Sequence, residues 1–182
     1  MKTLEQHLTQ YAAYHRDRRN IATHFIGIPM IVLASAALLA RPAWLVGGGL
    51  PLSPALVLTA GTIVFYLALD LRYGVAMAAF MGASWWAGAE VAARSTALWL
   101  IYGIGLFVVG WIIQFVGHVF EGRKPAFVDD LVGLLIGPLF IVAEASFALG
   151  LRDGVRAAIE ARVGPTVVRD AAARAALHTA AR

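Results

Sequence analysis

The stretch Trp111-Ile-Ile-Gln-Phe-Val-Gly-His-Val-Phe-Glu-Gly-Arg-Lys-Pro125 decides how the rest of the chain is read. It begins as an apolar helix of the membrane type and ends in a breaker, Gly122 through Pro125. Three of its residues are polar where the pattern wants apolar ones: Gln114, His118 and Glu121. At about 100° per residue, their offsets place all three on one helical face. An imidazole and a carboxylate one turn apart, aimed the same way at a helix end, can share a metal ion. His-x-x-Glu is common by chance, so a site needs partners elsewhere in the chain.

The surroundings are apolar. Of 182 residues, 60% are hydrophobic and 14% charged, and the mean hydropathy is +0.73. Soluble domains carry about 45–50% apolar and about 25% charged residues, so these values predict a membrane protein. Its apolar blocks approach the roughly 20 residues needed to cross hydrocarbon. The first twenty residues are polar, so no cleavable signal peptide is expected and the first span does the targeting. With no cysteine, disulfides, thiolate metal sites, iron–sulfur clusters and Cys nucleophiles are excluded. The formal charge of +4, with arginines toward the chain ends, suits a membrane face and not nucleic acid. No nucleophile elbow, phosphate loop or dinucleotide fingerprint is present.

Working outward from residue 111, the sequence predicts an all-α, multi-pass helical bundle with four full spans and a broken fifth segment. Residues 1–20 read as an amphipathic helix on the membrane surface, with Leu4, Leu8, Tyr11 and His15 near one face and Asn20 as a helix cap. The spans are 21–40, kinked by Pro29, then 54–71, 74–92 and 96–118, with Gly103, Gly105, Gly110 and Gly117 as close-packing positions in the last. Residues 41–53 read as a loop. Residues 129–150 form a fifth apolar block, expected to bend back at Gly137-Pro138. The membrane domain is thus 1–150, and 151–182 is an Arg- and Ala-rich cytoplasmic tail, frayed after Gly164-Pro165.

Arg16, Arg18 and Arg19 precede the first span, which puts the N-terminus in the cytoplasm. The second and fourth spans then end on the same side. His15, His24, Asp70, His118, Glu121 and the Arg123-Lys124 pair all land at that face.

Histidine in an apolar segment is costly unless partnered, so it is a functional hypothesis by default. His15, His24 and His118 converge with Glu121. His7 and His178 fall in polar helices and read as solvated. His15 and His24 are nine residues apart, about 180° apart on one continuous helix, so they meet only if the chain turns. The charge run ending at Asn20 marks the expected turn. Imidazoles suit Fe, Zn, Cu or Ni, and several imidazoles with one carboxylate and open positions resemble a non-haem Fe(II) oxygenase site. Membrane di-iron enzymes need about eight histidines and this chain has five, so that chemistry is out. A haem between two histidines, a proton or metal transporter using Glu144, and a scaffold with helix-bridging histidines stay open. Glu144 reads as a partner orienting a histidine, Asp70 with Arg72 as an interfacial ion pair, and Arg123 with Lys124 as membrane anchors able to hold a lipid carboxylate. Trp85-Trp86 reads as packing.

Two stretches together, Tyr11-x3-His15-x4-Asn20-x3-His24-x2-Gly27-x-Pro29 and Gln114-x2-Gly117-His118-x2-Glu121-x2-Lys124-Pro125-Ala126, resemble the family of the fungal 2-hydroxy fatty acid dioxygenase (Mpo-one-like). Pro138-Leu-Phe140 and Glu144 match its closing segment, so the resemblance covers about residues 4–150. It implies an Fe(II)-dependent membrane dioxygenase that shortens a 2-hydroxy fatty acid by one carbon with O₂. It also implies His15, His24 and His118 as iron ligands and matches Glu121 and Glu144 to acidic positions of unassigned role; the one-face geometry of the chain itself adds Glu121 as a possible fourth ligand. Asn20, Gln114, Arg123, Lys124 and Glu144 would bind substrate or support the ligands. The Ala/Arg-rich composition suggests a bacterial inner membrane, where the fungal case uses the endoplasmic reticulum.

Overall fold

The computed structural model describes residues 2–46 and 50–170. Helices dominate, as the sequence predicts: α1 (Leu4–Ala12), α2 (Arg18–Ala40), α3 (Pro54–Leu69), α4 (Leu71–Ala92), α5 (Thr96–Glu121), α6 (Gly133–Ala148) and α7 (Asp153–Val163), with a 3-10 turn at Ala126–Val128. The expected loop after α2 carries a small antiparallel ribbon, β1 (Trp44–Val46) against β2 (Leu50–Leu52), with Trp44 opposite Leu52. The chain forms two compact units, residues 1–26 with 112–182, and residues 27–111.

In the first unit, α1 starts from a capping box: Thr3 Oγ1 accepts from the Gln6 backbone N–H, and the Gln6 side chain accepts from Thr3 N–H. The pair satisfies two N–H groups that have no partner inside the helix. Leu4, Leu8, Tyr11 and Ala12 are buried, packed toward α6 and α7. Burying one such large apolar side chain is worth about 1.5–3 kcal/mol, which binds a nine-residue helix too short to persist alone. His7 lies on that same face and is buried, not solvated. His178 falls outside the described residues.

α2 begins at Arg18, and its cap is Asp17, whose Oδ1 accepts from Arg19 N–H at 2.9 Å; Asn20 is already inside the helix. The turn that separates His15 from His24 therefore falls at residues 13–17, just before the expected place. α6 runs straight through Gly137-Pro138, so the predicted break there is not found. A proline in the second turn costs one backbone bond but still admits helical φ. The break comes at the next glycine: Gly150 at φ +70° and Arg152 at φ +60° turn the chain by 112° into α7.

In the second unit, α3 and α4 form a hairpin joined by Asp70 alone, which closes α3 and caps α4 by accepting from Tyr73 N–H at 2.9 Å. A Cβ on Gly88 would stand 2.7 Å from Ala37 N, and one on Gly103 would stand 2.6 Å from Leu38 Cδ2. Gly110 meets the Gly27 carbonyl and Ile31, as close packing requires, whereas Gly105 faces open space. Trp99 Nε1 donates to the Ala37 carbonyl at 2.8 Å. Trp86 is exposed, so the expected packing role does not extend to its ring.

Four full spans and a fifth segment are too many. Among the described residues, α2 and α5 are long and apolar enough to cross a membrane, or three elements if the bent α6–α7 pair counts as one. The 16 residues of α3 reach about 24 Å, short of the roughly 30 Å of hydrocarbon. α4 has 22 residues, but Gly and Ala dilute its hydropathy and Arg72 and Glu90 interrupt it.

Candidate metal centre

Three buried imidazoles meet in the first unit. His15 follows α1 after a tight bend in which Tyr14 N–H donates to Tyr11 O and His15 N–H donates to Ala12 O. Its ring stacks flat on Tyr11, with centroids 4.1 Å apart. His24 stands in the second turn of α2 and His118 in the last turn of α5. Ring centroids lie 4.5 Å apart for His15–His24, 5.0 Å for His15–His118 and 5.3 Å for His24–His118. Each ring offers a nitrogen within 4.8 Å of the others.

The hydrogen bonds say which nitrogens those are. His15 Nδ1 lies 2.7 Å from the Tyr11 carbonyl, and His24 Nδ1 lies 2.8 Å from the Asn20 carbonyl. A carbonyl only accepts, so both Nδ1 atoms carry the proton and both Nε2 atoms carry a lone pair. Those two Nε2 atoms face each other at 3.0 Å. Two lone pairs at that distance attract nothing unless a cation lies between them. The third ring repeats the pattern, because His118 Nδ1 is buried without a hydrogen-bond partner. Burial, reinforced by the neighbouring His24 and His118, pushes the His15 pKa well below its ordinary value, so protonation is a poor remedy. A metal ion fits: two nitrogens bound at about 2.1 Å to one ion stand about 3.0 Å apart at a right angle.

Glu121 is not among the three. It is fully buried, and its carboxylate accepts from Arg16 N–H at 3.0 Å, from Asp17 N–H at 2.8 Å and from Asn20 Nδ2 at 3.0 Å, and it pairs with Arg169. Its lone pairs are spent on the turn that delivers His15. Asn20 links the two clusters: its side chain donates to Glu121, and its backbone carbonyl holds His24. Gly117 lets α5 approach this turn, since a Cβ there would stand 2.5 Å from Asn20 Oδ1 and clash with Thr23 Oγ1.

The other sequence-predicted residues are dispersed. Gln114, one turn before His118, is buried and its Nε2 has no partner. Arg123 Nη1 donates to the Ala13 carbonyl at 3.0 Å, tying the end of α5 to the bend. Lys124 pairs with Asp129 at 2.6 Å. Glu144 faces Arg16 Nη2 at 3.5 Å, across a cavity of about 150 Å³ that Arg156, Glu160 and Thr166 also line. Asp70 sits in the second unit as a helix cap. Sequence reading missed Arg16, Asp17 and Arg169. In the sequence Arg16 marks only membrane orientation and Asp17 only the charge run at the turn, yet both are buried. Nothing in the sequence singles out Arg169.

A helical protein with apolar, membrane-length helices and a buried three-histidine cluster is the class that fold and site define. The chain belongs to the Mpo1-like family: the family model described as 2-hydroxy-palmitic acid dioxygenase Mpo1-like matches residues 1–149. It is 33% identical over 159 residues to the 2-hydroxy-palmitic acid dioxygenase MPO1 of Saccharomyces cerevisiae, covering 86% of this chain and 87% of the yeast protein. No solved structure matches it.

Proposed function

We propose that this chain is a membrane-embedded, Fe(II)-dependent dioxygenase of 2-hydroxy fatty acids, with the metal held by His15 Nε2, His24 Nε2 and His118 Nδ1. The observation that carries this is the pair of lone pairs facing each other at 3.0 Å beside an unpartnered third nitrogen. Family membership supplies the chemistry. A ferrous ion held there would activate O₂ as the oxidant of the 2-hydroxy acid, which would leave a fatty acid one carbon shorter, with the lost carboxyl carbon as CO₂ and O₂ reduced in part to water.

The residues do the rest. The Tyr11 and Asn20 carbonyls hold two rings in the tautomer that presents Nε2 inward. Three neutral imidazoles leave the charge of a divalent ion uncancelled, which favours an anionic substrate. Burial of all three rings keeps bulk water away from the reaction. Glu121 orients the turn and is not a ligand in this reading. The acyl chain lies along apolar helix surface such as Ile112, Phe115, Val116 and Val119, exposed in the structure and suited to lipid. Crossings by α2 and α5 return the chain to its starting side, which Arg16 and the arginines that open α2 make cytoplasmic. The inner membrane of a bacterium is the proposed location.

The test is metal analysis of anaerobically purified protein, wild type beside His118→Ala, followed by O₂ uptake with 2-hydroxypalmitic acid. About one iron per chain, lost in the variant, with substrate-dependent O₂ uptake in the wild type alone, is the expected result. Zinc in place of iron redirects the reading to hydrolytic chemistry. No metal after Fe(II) is supplied leaves a helix-bridging scaffold.

A further inference from the structure

Residues 164–170 lie beyond the stretch matched by the family model, yet they are bound to the turn that carries His15. Val167 N–H donates to the Arg16 carbonyl and Arg18 N–H donates to the Val167 carbonyl, both at 2.8 Å, in a parallel bridge. Arg16 Nη1 donates to the Gly164 carbonyl at 3.0 Å. Arg169 N–H donates to Asp17 Oδ2 at 2.8 Å, and Arg19 Nη2 donates to the Arg169 carbonyl at 2.6 Å. The Arg169 guanidinium reaches the Glu121 carboxylate and, at 3.1 Å, the Glu121 carbonyl.

Charge makes this segment consequential. Glu121 has no exposed surface. Its donors from the turn, two backbone N–H groups and the Asn20 amide, are all neutral. The positive charge comes from Arg169. A buried carboxylate that loses its cation is strongly destabilising and must rearrange or protonate. Rearrangement of Glu121 moves Arg16 and Asp17, and with them His15.

We propose that residues 164–170 are a strap that completes the metal centre, with Arg169 as a positioning residue that acts through Glu121. This rests on the metal-centre reading. Metal binding and strap docking are then coupled, and by linkage each strengthens the other by the same factor.

The experiment titrates Co(II), a spectroscopic stand-in for Fe(II), into the full-length protein as wild type, Arg169→Gln, Arg169→Lys, Glu121→Gln and the Glu121→Gln/Arg169→Gln double variant. Arg169→Gln is expected to weaken binding about 10–100-fold, the usual cost of losing support for a ligand, and Arg169→Lys to recover most of it. In the Glu121→Gln background the same change is expected to cost under about 3-fold, because the charge it served is gone. Equal affinity for wild type and Arg169→Gln, or an equal loss in both backgrounds, overturns the strap while leaving the centre standing. A wild type that binds no metal removes the centre and the strap together. If Arg169→Gln does not fold, the unmodified protein decides: trypsin cleavage after Arg162 and Arg169 slows when Co(II) is added, and rates independent of the metal overturn the proposal.

Discussion

Two polar clusters lie side by side where α2 begins and α5 ends, and their hydrogen bonding is opposite. Glu121 is surrounded by donors, and each oxygen is satisfied by backbone, amide or guanidinium. The histidines are satisfied only on their outer edges, while inside two Nε2 lone pairs face each other at 3.0 Å and His118 Nδ1 has no partner. Both clusters are buried away from bulk solvent. The Glu121 carboxylate is saturated by the turn it holds, whereas inward imidazole nitrogens with no donor between them call for an explanation that a bound ligand supplies. His-x-x-Glu in the sequence joined these roles into one motif, and the structure separates them.

The separation breaks first at the metal. His118→Ala is expected to lower metal affinity by more than about 100-fold, beyond the range of an orienting residue, with thermal stability little changed. Metal titration beside a melting curve checks both. Glu121→Ala should reverse the pattern. Leaving Arg169 and two buried N–H groups unpartnered should cost about 3–5 kcal/mol by denaturant titration, while Glu121→Gln, if folded, keeps the metal stoichiometry. Full loss of metal in Glu121→Gln with an unchanged melt would make the carboxylate a ligand after all.

Gly117→Ala tests the approach that holds the clusters together. Its Cβ would overlap Thr23 Oγ1 and Asn20 Oδ1, at an expected cost of about 1–3 kcal/mol, visible as a lowered denaturation midpoint with unchanged slope.

Acid sharpens the contrast. His15 is held neutral when folded, whereas the unfolded chain protonates it near pH 6.5. Below that pH the unfolded state binds the extra proton, so His15 alone lowers the stability of the metal-free protein as pH drops, by up to about 1.4 kcal/mol per pH unit. Asp17 adds a second loss at lower pH. Burial alone would raise its pKa, but hydrogen bonds from Arg19 and the Arg169 N–H outweigh it and hold it at about 2. Its contribution is present above about pH 4 and disappears on the way down to about pH 2. Denaturant midpoints between pH 7.5 and 5 isolate the histidine part. The smallest effect marks the baseline: Arg156→Ala removes a solvent-facing pair with Glu160 and should change stability by under about 0.5 kcal/mol.

Much of this was legible in advance. Hydropathy located α2 and α5, and helical offsets put Gln114, His118 and Glu121 on one face. The crowding at Gly103, Gly110 and Gly117 was visible as small residues in an apolar helix. The misplacements have separate causes. An apolar block does not reveal its helical length, so the 16-residue α3 read as a full span, and the 22-residue α4 read as one although Gly, Ala, Arg72 and Glu90 dilute it. The proline at 138 looked like a hinge, but a helix tolerates one missing bond more easily than it continues past Gly150.

The sequence by itself determined the helical class, the apolar character, the three histidines and the need for a bend between His15 and His24, because each follows from period, polarity or spacing along a short stretch. Only the tertiary structure decided that the histidine lone pairs converge, that Glu121 serves the turn, and that Arg169, 48 residues further along, neutralises it. Those facts depend on which groups meet across the fold, and hydrogen-bond satisfaction is a property of a pair, not of a position.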